Sequence, residues 1–141
     1  MKHLLALILS LATLHAVAHE GKDFGPNGGR LLVIDKKASL KGEVLVKGDQ
    51  FHLTLLDENL KPVPPGQQTL TASSRSSVIT STKLTVGKDS KGFTLPLIGK
   101  GSWLVLQYRS APDAKPITIR LHYDTSTCSG CQKPEWLCAC Q

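Results

Sequence analysis

Cysteine is missing from the first 127 residues of this 141-residue chain, and all four cysteines lie in the final segment. A disulfide framework that ties the body of a domain together is therefore excluded, because these thiols can bond only to one another, to a second molecule or to a metal. Aromatic residues make up only 5% of the chain, and its 17 lysines and arginines form no long run despite a net charge of +6. A nucleic-acid partner is not expected, since nucleic-acid surfaces cluster their cations and usually add stacking side chains.

Long apolar runs are also missing, except at the N-terminus. Residues 4–14 are mostly apolar, a lysine precedes them, and the small residues Ala16 and Ala18 follow. This order is typical of a secretory signal peptide that is cleaved after Ala18. No later run approaches the ~20 apolar residues that a membrane span requires. We therefore expect residues 1–18 to be removed and the mature protein to be periplasmic, to begin at His19 and not to insert into the membrane.

Helical periodicity is absent from the rest of the chain, which carries short runs of alternating apolar residues separated by turn-forming residues. Turn signals at intervals of roughly 8–12 residues predict a single all-β domain, an antiparallel β-sandwich of about seven or eight strands. Such a domain would be immunoglobulin-like or cupredoxin-like. The strands are expected at residues 30–34, 42–46, 50–56, 68–73, 78–86, 93–97, 102–109 and 116–123.

The chain divides into four segments on these patterns. Residues 1–18 are the signal peptide, residues 19–29 an extended glycine-rich arm, residues 30–124 the sandwich, and residues 125–141 a cysteine-rich tail. Prolines near position 64 interrupt strand pairing and predict either an edge or a crossing between the two sheets. The predicted core consists of Leu32, Ile34, Val44, Val46, Phe51, Leu53, Leu55, Leu70, Leu84, Leu95, Trp103, Val105, Ile117, Ile119 and Leu121.

The tail holds its cysteines in the pattern C-x2-C-x6-C-x-C. They are Cys128, Cys131, Cys138 and Cys140, called the cysteine cluster below. Two disulfides are one interpretation, because an exported protein meets an oxidising compartment and the number of cysteines is even. Any such bridge, however, would close only a short loop at the end of the chain and would not tie the tail to the sandwich.

Binding of a metal ion explains the position of the four cysteines better. A turn at Pro134 can bring the two cysteine pairs together, and Gly130 allows backbone N–H groups to approach sulfur. Four thiolates suit a soft or borderline ion. We expect Cu(I) at the cysteine cluster, with Zn(II) as the alternative.

A second metal site is predicted at the mature N-terminus. After cleavage, His19 offers its α-amino nitrogen and its imidazole, and one further imidazole would complete a three-nitrogen set that suits Cu(II). The candidates are His52, on the outward face of a predicted strand, and His122, on the polar face of the last strand. Solvated surface histidines are the alternative interpretation.

Catalytic motifs are not found in the sequence, which contains no nucleophile elbow, no glycine-rich phosphate loop and no H-E-x-x-H pair. We therefore expect a protein that is not an enzyme. The catalytic alternative is a thiol oxidoreductase that uses the C-x2-C pair. A thioredoxin-type motif of this kind lies at the N-terminus of a helix, and no helix is predicted here.

The stretch from His19 to Leu32, HEGKDFGPNGGRLL, resembles a segment near the mature N-terminus of periplasmic adaptor proteins of heavy-metal efflux systems. It is also similar to small exported β-domain proteins that accompany these systems, as is the stretch LLDENLKPV at residues 55–63. A weaker resemblance, through His19 and the all-β fold, is to histidine-brace copper proteins of the periplasm. These resemblances imply a role in metal resistance, with an efflux-system component as a partner.

Together, these observations predict a periplasmic copper-binding protein that sequesters or delivers the metal in metal tolerance. The alternative is a non-enzymatic interaction module of an efflux or envelope complex. In that alternative the tail is closed by disulfides, and Trp136 and Leu137 contact the partner.

Overall fold

The computed structural model describes residues 23–76 and 80–140. This part of the chain forms β-strands and one short 3-10 helix, and it contains no α-helix. No helix in it is long and apolar enough to cross a membrane. The elements are β1 (Arg30–Asp35), β2 (Leu40–Lys47), β3 (Gln50–Leu56), β4 (Thr69–Arg75), β5 (Ser81–Leu84), β6 (Gly87–Asp89), β7 (Gly92–Pro96), β8 (Ser102–Arg109), β9 (Ile117–Tyr123) and η1 (Glu135–Leu137).

The strands form two antiparallel sheets, which confirms the predicted sandwich. Sheet A has the order β1-β2-β3-β7-β6, and sheet B has the order β5-β4-β8-β9. The alternating residues of both sheets that point inward form one hydrophobic core. The proline-containing connection after β3 carries the chain from sheet A to sheet B, which is one of the two arrangements predicted for it.

The hairpin formed by β2 and β3 follows the sequence pattern closely. Lys47 pairs with Gln50 across a two-residue turn, in which Gly48 has a φ of 61° that favours glycine. In β3, Phe51 and Leu53 are buried and His52 between them is only half-buried. The alternation therefore places the apolar side chains of β3 in the core and His52 on the outer face of sheet A.

One predicted strand is too long, and one strand was not predicted. Residues 78–86 were expected to form a single strand, but β5 ends at Leu84. The chain then changes sheets, and β6 begins at Gly87, beyond the predicted strand. The three residues of β6 carry no apolar alternation, so nothing in the local sequence predicts a strand there. Residues 78 and 79 lie outside the described residues.

The predicted register of β8 is also wrong. Trp103 and Val105 were expected in the core, but Trp103 is 45% exposed and Val105 is only partly buried. Leu104 and Leu106 occupy the core instead and are fully buried. Because β8 has apolar residues at both odd and even positions, alternation alone could not determine the inward face, and a shift of one residue exchanges the faces.

The described part of the arm, residues 23–29, lies over the outer face of sheet A and is held by one buried carboxylate. Glu43 in β2 is fully buried and accepts hydrogen bonds from the backbone N–H of Asn27 at 2.8 Å and of Gly29 at 2.9 Å. The side-chain amide of Asn27 donates to the other oxygen at 2.8 Å. A Cβ atom at Gly29 would lie 2.5 Å from the carbonyl oxygen of Val44, so this position requires glycine. The G-P-N-G-G turn therefore fits around Glu43.

Candidate metal centre

The tail folds back on itself directly after β9. Thr127 forms a β-bridge with Pro134, and the backbone N–H of Cys128 donates to the carbonyl oxygen of Lys133 at 2.8 Å. The carboxylate of Asp124 accepts from the backbone N–H and the hydroxyl of Ser126. These bonds form a short hairpin that presents the C-x2-C pair near the end of the sandwich.

The helix η1 anchors this hairpin to the domain through Trp136. The backbone N–H of Trp136 donates to the carbonyl oxygen of Asp124 at 2.9 Å. Its side chain is only 6% exposed and packs edge to face against Phe51 and Tyr123, with ring centroids 6.3 and 5.4 Å away. The expectation that Trp136 contacts a partner protein is therefore wrong, because the sandwich core already holds this side chain.

The four thiols converge on one small volume, as the sequence predicted. They are free, and their sulfur atoms all lie within 4.8 Å of one another. The sulfur of Cys138 is 3.1 Å from that of Cys128 and 3.6 Å from that of Cys131. The sulfur atoms of Cys128 and Cys140 are 3.7 Å apart. Four sulfurs at about 2.3 Å from a tetrahedral zinc ion would be about 3.8 Å apart, so the cysteine cluster could hold a metal ion.

Backbone N–H groups point at two of these sulfurs. The N–H groups of Gly130 and Cys131 hydrogen-bond to the sulfur of Cys128, and the N–H of Cys140 donates to Cys138 at 3.3 Å. At Gly130, a Cβ atom would approach the sulfur of Cys140 to 3.1 Å. Glycine therefore leaves room for the second cysteine pair, and the N–H donors stabilise negative charge on sulfur.

The thiols of the cluster differ in acidity because they share protons unequally. The backbone N–H of Cys131, the thiol of Cys138 and the N–H of Gly130 lower the pKa of Cys128 to about 7. Hydrogen bonds to the neighbouring thiols, first that of Cys131, raise the pKa of Cys140 to about 12. The pKa of Cys138 is raised, chiefly by its hydrogen bond to Cys128. The thiolate of Cys128 thus forms first, whereas Cys138 and Cys140 keep their protons until a cation replaces them.

Exposure also differs within the cluster. Cys128 and Cys138 are buried, Cys131 is partly buried and Cys140 is exposed. An ion bound here would be shielded on one side by the hairpin and η1. Solvent or another molecule could reach it from the side of Cys140.

The predicted histidine ligands do not join the cysteines. His52 lies on the outer face of sheet A, in a cavity of about 610 Å³ that Asn27 and Thr94 also line. His122 lies on sheet B, where its ring stacks on Trp103 at 4.7 Å and its Nε2 is 3.1 Å from the carbonyl oxygen of Gly101. Within residues 23–76 and 80–140, neither histidine belongs to a group of three or more potential ligands. His19 lies outside the described residues, so the site that it would form stays a prediction.

The arm and the tail meet at one end of the molecule. The ammonium group of Lys133 lies 5.1 Å from the centre of the Phe24 ring, a distance that allows a cation–π contact. The backbone N–H of Leu31 donates to the carbonyl oxygen of Asp23, so the beginning of the described chain runs beside β1. The start of the described chain therefore lies beside the hairpin of the cysteine cluster.

Sequence reasoning assigned Trp136 to the wrong role and missed Glu43 altogether. Trp136 lies between two cysteines, and only its bulk and its spacing from the turn at Pro134 could have indicated an anchor. Glu43 is the single acidic residue in an otherwise apolar and basic strand, and its register opposite the arm has no local signal. Both residues act through contacts with parts of the chain that are distant in sequence.

Comparison with known proteins found no relative of this chain. No protein-family model, no curated protein and no solved structure matches the chain. The inference about function therefore rests on the chain itself. What the chain presents is a β-sandwich whose C-terminal cysteines lie close enough together to bind a metal ion.

Proposed function

We propose that this protein is an exported, periplasmic metal-binding protein that sequesters or delivers a transition metal in metal tolerance. The metal is coordinated and not chemically transformed, so the protein is not an enzyme. The observation that carries the proposal is the convergence of four thiol sulfurs within 4.8 Å of one another. In the described residues no other group of potential ligands has this form.

Cu(I) is the ion that we propose, because thiolates are soft ligands and copper sequestration needs a site that holds the reduced ion. Zn(II) is the alternative, since four thiolates in a closed tetrahedral set are also typical of zinc. For either ion, Cys128 would bind first as a thiolate, and the other cysteines would lose their protons on coordination.

Delivery to another protein fits the unequal exposure of the cluster. Cys140 is the exposed ligand, so an acceptor could reach it first. A component of a heavy-metal efflux system would be such an acceptor. The site at His19, with His52 or His122 as a further ligand, would hold Cu(II) and is proposed on the sequence alone.

The test is to purify the mature protein from the periplasm without chelators and to measure bound metal, free thiols and mass in one sample. We expect about one copper or zinc ion per chain, with thiols that react fully only after the metal is removed. The mass would also report the N-terminal residue and therefore the cleavage after Ala18.

Two variants make this test specific. Replacing Cys138 and Cys140 by serine should abolish stable metal binding while the sandwich remains folded. Ser129→Ala is the matched control, because Ser129 is exposed within the same hairpin and carries no ligand atom. A metal-free protein whose cysteines are all oxidised, and which takes up no Cu(I) or Zn(II) after reduction, would contradict the proposal.

A further inference from the structure

The strands at the edges of the two sheets differ in how well they are protected from pairing with a strand of another chain. A long edge strand presents unpaired N–H and C=O groups to which another chain can bind, and proteins usually shorten, bulge or cover such edges. At one side of the sandwich, β5 has four residues and β6 has three. At the other side, β1 and β9 have six and seven residues and lie beside each other.

The edge of β1 is both covered and irregular. Its first part is paired with the arm, since Phe24 bridges Arg30 and the N–H of Leu31 donates to Asp23. Further along, the pairing with β2 shifts register between Val33 and Asp35. A bulge of this kind twists an edge and disfavours further pairing. β1 is therefore a poor template for an additional strand.

Among residues 23–76 and 80–140, nothing pairs with the free edge of β9, and no bulge interrupts this strand. Its pairing with β8 runs without a shift from Ile117 to Tyr123. The carbonyl oxygen of Tyr123 accepts from Gly101 beside β8, so alternation turns the backbone groups of Thr118, Arg120 and His122 away from β8 and towards the free edge. β9 is thus the one long and regular edge strand among those that the structure describes.

A groove runs along the seam between β9 and β1. Two cavities that share Arg120, of about 720 and 290 Å³, follow this seam. Apolar side chains that line them are Leu32, Ile34, Ile117, Ile119 and Leu121.

The charges along the groove have mostly one sign. The larger cavity is lined by four cations, of which Arg120 projects from β9, and by one carboxylate, Asp35. That carboxylate already accepts hydrogen bonds from the backbone N–H groups of Lys37 and Ala38. In the smaller cavity, two arginines face two carboxylates and the charges balance. The groove is therefore apolar at its base and positively charged at its rim along the larger cavity.

We propose that β9 binds an extended, acidic segment of a partner protein by strand addition. The free backbone groups of Thr118, Arg120 and His122 supply the main-chain hydrogen bonds, as in other cases of strand addition. Successive side chains of the added strand point to opposite faces. Those pointing inward meet the apolar base of the groove, and those pointing outward meet Arg120.

The proposal therefore specifies the sequence pattern of the bound segment. It has acidic residues at every second position and β-branched apolar residues between them. Opposite charges directly across neighbouring strands attract, whereas a like charge in the bound segment would be repelled by Arg120. The smaller cavity ends at Glu135 and Trp136, so a bound partner would lie next to the hairpin of the cysteine cluster.

The experiment uses a synthetic peptide of the length of β9, seven residues, with glutamate at odd positions and valine or isoleucine at even positions. Its binding to the full mature protein is measured by calorimetry and by amide hydrogen exchange. We expect the amides of Thr118, Arg120 and His122 to exchange at least about tenfold more slowly with the peptide bound. The amides of Ile119 and Leu121, which face β8, should change little.

Two pairs of variants test the backbone and the charge separately. Thr118→Pro removes one N–H at the free edge without removing a bond to β8 and should weaken binding about fivefold, whereas Thr118→Ala should not. Arg120→Glu should weaken binding of the glutamate peptide by about fivefold and should strengthen binding of a peptide with lysine at the same positions. The melting temperature of each variant confirms that it is folded.

Three results would overturn strand addition at β9. The first is that a peptide of the same composition, with its glutamates in one block, binds equally well. The second is that heparin or anionic lipid vesicles protect the same amides from exchange. Either would show that charge alone attracts polyanions to this face. The third is an absence of protection at Thr118, Arg120 and His122 with a saturating amount of the alternating peptide. Metal binding by the cysteines is measured separately, so its failure would leave this result unaffected.

Discussion

The ring of Trp136 packs edge to face on that of Tyr123, with 5.4 Å between their centres. This contact joins the loop between the two cysteine pairs to the last strand of the sandwich. A tail that carries all of the chain's thiols is therefore part of the folded domain.

Trp136→Ala should lower the free energy of unfolding by about 3–5 kcal/mol, because it removes a buried aromatic side chain from contact with Phe51 and Tyr123. Denaturation by urea measures this loss. The second tryptophan of the chain supplies the control, since Trp103 is 45% exposed and Trp103→Ala should cost less than about 1 kcal/mol. Equal losses in the two variants would contradict the placement of Trp136.

Metal removal should destabilise the protein and loosen the tail before the sandwich. An ion that binds only the folded state adds about 2.7 kcal/mol at a free concentration one hundred times its dissociation constant. A chelator should therefore lower the melting temperature of the metal-loaded protein and increase amide exchange in residues 125–140. Cys131→Ser should show the lower melting temperature with or without the chelator. A melting temperature that does not respond to metal in the wild-type chain would argue against the site.

The metal-free protein should form its first thiolate near pH 7. The pKa of Cys128 is lowered to about 7 by N–H donors and the neighbouring thiol, while the pKa of Cys140 is raised to about 12. Ultraviolet absorbance of thiolate should therefore begin to rise near pH 7 with the ionisation of Cys128, and the step from Cys140 should appear only in strongly alkaline solution. In Cys128→Ser the step near pH 7 should be missing.

The same order of ionisation predicts how metal binding depends on pH. Below pH 7 the proton on Cys128 competes with the metal, so affinity should fall steeply as the pH decreases. Above pH 7 this proton is already lost, and each ion should displace about one proton fewer at roughly pH 8 than at roughly pH 6. Calorimetry in two buffers of different ionisation enthalpy measures the protons released. A constant number across this range would contradict the lowered pKa.

Glu43→Gln should destabilise the protein by about 1–3 kcal/mol. The buried carboxylate accepts from Asn27 and Gly29, and a glutamine amide would direct its own N–H groups at one of these donors. Faster amide exchange at Asn27 and Gly29 would show that the arm is released. Glu58→Gln is the control, since Glu58 is exposed and its replacement should change stability by less than about 0.5 kcal/mol.

Local patterns predicted most strands because alternation and turn residues agree along much of the chain. In β3, for example, Phe51 and Leu53 alternate with polar residues, and only one face can be buried. In β8, apolar residues occupy both faces, and the inward position of Leu104 depends on its neighbours in β4 and β9. The error at β8 and the missed strand β6 have the same cause, since no local pattern decides either.

By itself, the sequence determined that the fold is all-β and that the four thiols can bond only to one another, to a second molecule or to a metal. Both conclusions depend on order and spacing along the chain. The tertiary structure alone decided that Trp136 enters the core, that His52 and His122 lie on different sheets, and that β9 has a free edge. These outcomes depend on contacts between residues far apart in the sequence, where packing and hydrogen bonding select one arrangement among several that the local pattern allows.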